Sequence, residues 1–215
     1  MATPAQLVHT VALVLGVPES RVINHDRNLA KAGIRPVGGR GTGAAHMTPI
    51  DAAALLIAVV ASDEVRESVT AVTQYGSLQR TGSSPEYAWP SGLVQTIDEL
   101  PERHTFKEGL AALISDVRDK RHKVCGEINV VVHWPVKRTS ILYYVYEGAF
   151  RRTDMPPYTL NYGIGVERRH FTARTPYNRE GAFDLTYEKV FSDDTIISVA
   201  ETLRGERIER ESYYD

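Results

Sequence analysis

Four polar side chains between residues 21 and 31 have the types and the spacing of groups that recognise bases in duplex DNA. Arg21, Asn24, Asn28 and Lys31 follow one another at intervals of three, four and three residues, so on an α-helix they share one face. Asparagine side chains pair with adenine edges and arginine side chains with guanine edges. A lysine near the end of a helix more naturally meets phosphate. Any solvated helix face is polar as well, but the position of this one after a turn glycine, Gly16, favours DNA binding.

A glycine-rich segment with one arginine follows this face. In residues 38–43 the glycines allow a close approach to DNA while Arg40 supplies positive charge. The alternatives are a solvated loop and a phosphate-cradling nucleotide loop, and the second is disfavoured because no strand precedes it and no Gly-Lys-Ser/Thr follows. We expect base contacts from Arg21, Asn24 and Asn28. We expect phosphate or groove contacts from Lys31, Arg35 and Arg40. The candidate DNA-binding residues are Ser20, Arg21, Asn24, His25, Asn28, Lys31, Arg35, Arg40 and Thr42.

The elements that must position these residues are short helices. Apolar spacing predicts a first helix over residues 4–15, ended by Gly16. A second helix is predicted over residues 18–32, with Val22, Ile23 and Leu29 turned inward and Gly33 at its end. Residues 34–47 are suited to a tight hairpin, and Thr48 caps a third helix that is apolar nearly all round and therefore buried.

The spacing A-x-x-L-G-V-x-x-x-x-V over residues 12–22 resembles bacterial helix-turn-helix proteins. Leu29 to Ile34 and the glycine- and arginine-rich segment after them are similar to the winged-helix subgroup, including MarR-type regulators. The resemblance covers roughly residues 5–60 and implies that the second helix enters the major groove while the wing touches the backbone or the minor groove. His25 stands where these families place an aliphatic residue, and Asp26 is awkward on a helix that faces phosphates. The same segment also bears a weaker likeness to small proteins of prophages and gene-transfer agents.

The remainder of the chain predicts an α+β domain. A helix over residues 63–75 precedes a linker over residues 76–104, and Thr105 with Glu108 forms a capping box at the start of a helix that runs to about residue 120. Strands are predicted over 127–133, 140–150, 159–167 and 182–190, with a hairpin at 134–139 and a last helix from about Ser192. We therefore predict an all-α winged helix-turn-helix over residues 1–75 and an α+β oligomerisation or partner-binding domain with an antiparallel sheet over 105–215.

Composition limits the class of protein. The chain has 215 residues, a net charge of −2 and one cysteine, Cys125, so no internal disulfide forms and no zinc site has the required spacing. All five Lys and Arg residues of the first 62 lie between positions 21 and 40, which is a local density that suits a phosphate backbone. The apolar stretch at 50–62 is too short to cross a bilayer. We expect a cytoplasmic protein that needs no cofactor, metal or membrane.

The sequence gives little support for an enzymatic function. The histidines are scattered singly, and Asp184, Glu188 and Lys189 lack the E-x-K spacing of metal nucleases. Tyr143, Tyr144, Tyr146 and Phe150 could stack on bases, but alternation along a strand favours one side of a sheet core. We expect no catalysis.

The first hypothesis is a sequence-specific transcription regulator that binds double-stranded DNA as a homo-oligomer, with a dimer favoured, and contacts a protein partner through its C-terminal half. The alternatives are a phage-type DNA-packaging or structural adaptor and a nuclease with a helix-turn-helix targeting domain.

Overall fold

A computed structural model describes residues 2–37, 45–81, 93–121, 126–134, 136–147, 150–151, 156–163 and 187–206. The helices are α1 (Pro4–Leu15), α2 (Glu19–Lys31), α3 (Pro49–Val60), α4 (Ser68–Gly76), α5 (Gln95–Asp98), α6 (Phe106–Arg118) and α7 (Asp193–Arg204), with a 3-10 turn at Val65–Glu67. The strands are β1 (Gln79–Thr81), β2 (Gly126–Trp134), β3 (Arg138–Glu147), β4 (Phe150–Arg151), β5 (Tyr158–Gly163) and β6 (Tyr187–Ser192). The α+β class predicted from the sequence is confirmed.

Local sequence signals set the helix ends. Thr3, Thr48 and Thr105 each begin a helix through a reciprocal capping box, in which the threonine oxygen accepts from the third helical N–H and that residue's side chain accepts from the threonine N–H. Gly16 ends α1 in the left-handed region at φ 63°. Ser192 occupies the N-cap of α7 as predicted, but its side chain makes no capping hydrogen bond.

The strands form one antiparallel sheet in the order β1-β5-β3-β2-β6, with the short β4 paired to β3. The β2–β3 hairpin predicted from the sequence is confirmed, and its register pairs Val130 with Ile141. Val130 also pairs with Phe191 of β6. Side chains alternate between the two faces of a strand, so these three buried residues mark the face that packs on the helices.

A single hydrophobic core joins the two halves of the chain. Leu7 of α1, Leu56 of α3, Leu110 of α6 and Val199 of α7 belong to one buried cluster together with Val130 of the sheet. A hydrogen bond of 2.7 Å between the hydroxyls of Thr10 and Thr202 further links α1 to α7 inside this core. The predicted separation into an N-terminal and a C-terminal domain is therefore wrong for the described residues, because their apolar faces bury one another.

The residues predicted as a linker supply part of this connection. β1 pairs with β5, and the Phe106 N–H donates to Leu78 O at 2.8 Å. α5 is held on α6, because the Thr96 hydroxyl donates to Ala112 O at 2.7 Å. The rest of the predicted linker, 82–92, lies outside the described residues. The described portions on both sides of it are thus integral to the fold.

The sheet is attached to the start of α6 by a buried histidine–tyrosine pair. The Pro101 carbonyl can only accept, so His104 Nδ1 donates to it at 2.8 Å and leaves Nε2 to accept from the Tyr162 hydroxyl at 3.0 Å. Burial raises the pKa of Tyr162, which keeps it protonated as a donor. Gly109 leaves the space for this hydroxyl, since a Cβ there would lie 2.1 Å from the Tyr162 oxygen.

Candidate nucleic-acid interface

A tight turn sets the orientation of α2 against α1. Only residues 16–18 separate the two helices, and Gly16 adopts the left-handed conformation that a β-carbon would strain. The Val17 N–H continues the turn by donating to Ala12 O at 3.1 Å. Because both helices contribute to the core, the turn fixes which side of α2 stays outside.

The buried side of α2 consists of two apolar and two polar residues. Val22, His25, Asp26 and Leu29 recur at the three- and four-residue intervals of one helix face. Val22 and Leu29 were predicted to point inward, and both are confirmed as core residues. Ile23, predicted to do the same, is only partly buried.

Two of the predicted base-reading residues instead bind the protein's own backbone. Arg21 Nη2 donates to Asp63 O at 2.9 Å, and Asn28 Nδ2 donates to Val65 O at 2.8 Å. Both acceptors lie in the segment between α3 and α4. In this structure Arg21 and Asn28 therefore hold α2 against that segment. The face predicted from the sequence is turned partly toward the protein.

His25, another predicted DNA contact, is completely buried. The single proton of the Ser68 hydroxyl goes to Val65 O, so Ser68 Oγ accepts from His25 Nδ1 at 2.8 Å. Nε2 of the same ring is buried without a partner among the described atoms. Burial and the nearby charge of Arg21 lower the pKa of His25 to about 4. In this position His25 is a neutral core residue.

Arg35 forms a bidentate ion pair with Asp26. Arg35 Nε and Nη2 each donate to a carboxylate oxygen of Asp26 at 2.5 Å, and both side chains are 10% exposed. The pair, together with the Ile34 N–H donating to Leu29 O at 3.0 Å, folds the chain after Gly33 back onto α2. It also removes the difficulty with Asp26, because this carboxylate is neutralised inside the protein and not presented to solvent.

The solvent-exposed side of α2 carries a different polar stripe from the one predicted. Ser20, Asn24, Arg27 and Lys31 are all exposed, at intervals of four, three and four residues. No ion pair within the described part of the chain involves Arg27 or Lys31. Ser20, Asn24 and Lys31 were among the predicted residues, whereas Arg27 was missed. It was missed because Ile23 was expected on the buried side in place of His25 and Asp26, which rotates the predicted outer face by about 50°, or half a residue.

The remaining candidates are dispersed or undescribed. Arg40 and Thr42 lie outside the described residues, as does the predicted wing at 38–43. Glu188 and Lys189, considered for a nuclease, bond to different partners: Glu188 pairs with His133 at 3.0 Å and Lys189 with Asp63 at 2.8 Å. Asp184 also lies outside the described residues. Within the described portion, no helix has the length and apolar character needed to span a membrane.

α2 therefore presents one regular polar stripe with two cations, fixed from behind by hydrogen bonds and an ion pair. In comparisons with known proteins, no protein-family model, no curated protein and no solved structure matches the chain.

Proposed function

We propose that the chain is a sequence-specific double-stranded DNA-binding protein of the helix-turn-helix type, and that it acts as a transcription regulator. The observation that carries this proposal is the exposed stripe of Ser20, Asn24, Arg27 and Lys31 on α2, directly after the turn at Gly16. In a helix-turn-helix the second helix lies in the major groove and its N-terminal residues contact the bases. Asn24 and Arg27 then read bases, while Ser20 and Lys31 lie at the two ends of the stripe, where phosphates pass.

The rear of α2 supports the same proposal. A recognition helix must keep its orientation while water and counterions are displaced from its outer face. Arg21 and Asn28 provide that support through backbone hydrogen bonds, and Asp26 is neutralised by Arg35 so that it does not repel phosphates. The other acidic residue of α2 is Glu19, whose carboxylate lies 3.1 Å from Nδ1 of His9. When the His9 ring is protonated, its charge offsets that of Glu19.

The test is a DNA-binding titration of the full chain as a function of salt. A random-sequence duplex of about three helical turns is used to measure the non-specific affinity and its salt dependence. A duplex selected from a randomised pool is used to measure the preference for one sequence. The double variant Arg27→Ala/Lys31→Ala should weaken binding to both duplexes. Loss of the Lys31 phosphate contact should lower the magnitude of the salt slope by about 1, and loss of the Arg27 base contact should lower the preference for the selected duplex. Asn24→Ala should instead lower the preference for the selected duplex by about 1–3 kcal/mol and leave the slope unchanged.

Arg103→Ala is the matched control, since Arg103 is an exposed cation on the loop before α6. It should leave both binding constants unchanged. If the Arg27→Ala/Lys31→Ala variant binds both duplexes as tightly as Arg103→Ala does, α2 is not the DNA-binding helix.

A further inference from the structure

The outermost strand β6 has one sheet partner among the described residues. Its register runs antiparallel to β2 from Asn129↔Ser192 to Trp134↔Tyr187, and no other described strand pairs with it. A strand in this position presents the N–H and C=O groups of alternate residues away from the sheet. Proteins usually protect such an edge with proline, a bulge or an outward lysine.

β6 carries little of this protection. It contains no proline, and its one lysine is already engaged, since Lys189 Nζ donates to Asp63 Oδ1 at 2.8 Å. Val190, by contrast, is 55% exposed. Phe191 packs into the core, so Val190 points to the opposite face of the sheet, on the same side as Glu188. The strand thus combines an edge that has no partner among the described residues with an exposed β-branched side chain.

We propose that β6 pairs with β6 of a second copy of this chain across a twofold axis, joining the two sheets into one. This inference goes beyond DNA binding, and it identifies the surface through which copies associate. Twofold symmetry supplies the argument for a second copy as the partner. In an antiparallel pair of identical strands related by a twofold axis, one residue lies opposite the same residue of the other copy, and its neighbours pair symmetrically around it.

The charges of β6 select one register. A centre at Glu188 places two carboxylates opposite each other, and a centre at Lys189 places two ammonium groups opposite each other, both of which are destabilising. A centre at Val190 sets Val190 against Val190, Glu188 against Ser192 and Lys189 against Phe191. It uses residues 188–192 of each copy, whereas a centre at Phe191 uses only 190–192. The centre at Val190 is therefore the longest pairing without like charges opposite each other.

Cysteine cross-linking tests this register directly. In a Cys125→Ser background, Val190→Cys places two thiols opposite each other, at a Cα separation of about 4.5–5.5 Å that suits a disulfide. We expect mild oxidation to convert this variant into a covalent dimer. Glu188→Cys is the matched control. Its two thiols lie about 13 Å apart along the paired strands, beyond disulfide reach, and it should stay monomeric in a denaturing gel. The pair Glu188→Cys/Ser192→Cys should cross-link again.

A second measurement uses the non-covalent assembly. Light scattering of the unmodified full chain at high concentration should give the mass of a dimer, and Val190→Lys should shift it to a monomer with an unchanged circular dichroism spectrum, because two lysines then face each other. A monomeric unmodified chain would overturn the proposal. So would a dimer that Val190→Lys leaves intact, or cross-linking of Val190→Cys no faster than that of Glu188→Cys. DNA binding by a chain that stays monomeric would overturn this interface and leave the proposed function standing.

Discussion

His25 shows how a single buried residue makes stability depend on pH. Its ring is fully buried, and its Nε2 has no partner among the described atoms that would stabilise a second proton. Burial, reinforced by the charge of Arg21, lowers the pKa of His25 from 6.5 to about 4. The unfolded chain therefore takes up a proton between these two values while the folded protein does not. Stability from this group is intact above pH 6.5 and is lost as the pH falls toward 4.

We predict that the free energy of unfolding falls by up to about 3 kcal/mol between pH 6.5 and pH 4 on account of His25. The measurement is urea unfolding at several pH values for the unmodified chain and for His25→Asn, whose amide can still donate to Ser68. The variant should show a shallower dependence on pH in this window. Asn24→Ala, at an exposed position that carries no titratable group, should keep the original dependence. Equal slopes for the unmodified chain and His25→Asn would show that His25 titrates normally.

At the scale of the element, the rotation of α2 depends on the Asp26–Arg35 ion pair. Each side chain is only 10% exposed, so removing one partner leaves a charge in a poorly solvated place. We predict that Arg35→Ala destabilises the protein by about 3–5 kcal/mol, measured by urea unfolding at neutral pH. Arg27→Ala, which removes an exposed arginine from the same helix, should change stability by less than about 0.5 kcal/mol.

The double variant Asp26→Ala/Arg35→Ala separates the ion pair from simple loss of side-chain contacts. With both charges gone no ion is left buried alone, so its cost should be smaller than the sum of the two single costs. Strict additivity would mean that the two residues act independently. If Arg35 instead contacted DNA as the sequence alone suggested, Arg35→Ala would weaken binding with no loss of stability.

At the scale of the whole molecule, the shared core predicts that the chain unfolds as one unit. Leu7 of α1 and Leu203 of α7 lie in the same buried cluster although they stand near opposite ends of the described chain. Truncating either to alanine should cost about 2–5 kcal/mol. We expect both variants to lower one common urea midpoint, and we expect amide hydrogen exchange in α1 and α7 to accelerate together in each. Two separate transitions, each sensitive to one variant only, would restore the two-domain organisation.

The sequence by itself determined the features whose causes lie within a few residues. The caps at Thr48 and Thr105 and the left-handed turn at Gly16 involve partners three or four positions away, so the starts of α3 and α6 and the end of α1 could be read directly. The start of α1 followed from its apolar spacing, and the capping box at Thr3 was not predicted. The β2–β3 hairpin was equally local, because its strands are rich in β-branched and aromatic residues and a short turn joins them.

Only the tertiary structure decided which side of α2 faces solvent. Arg21 looked like a base-reading residue until it was placed beside its acceptor Asp63 O, which lies 42 positions along the chain. His25 was likewise polar by type, but it is buried through a partner 43 positions away. The packing of the two halves into one core was also decided by the tertiary structure. Apolar spacing along a helix shows that one of its faces is buried, but it does not show which other element packs against that face. Local hydrogen bonds are encoded by neighbours in sequence, whereas the choice of buried partner is made only when distant segments compete to exclude water.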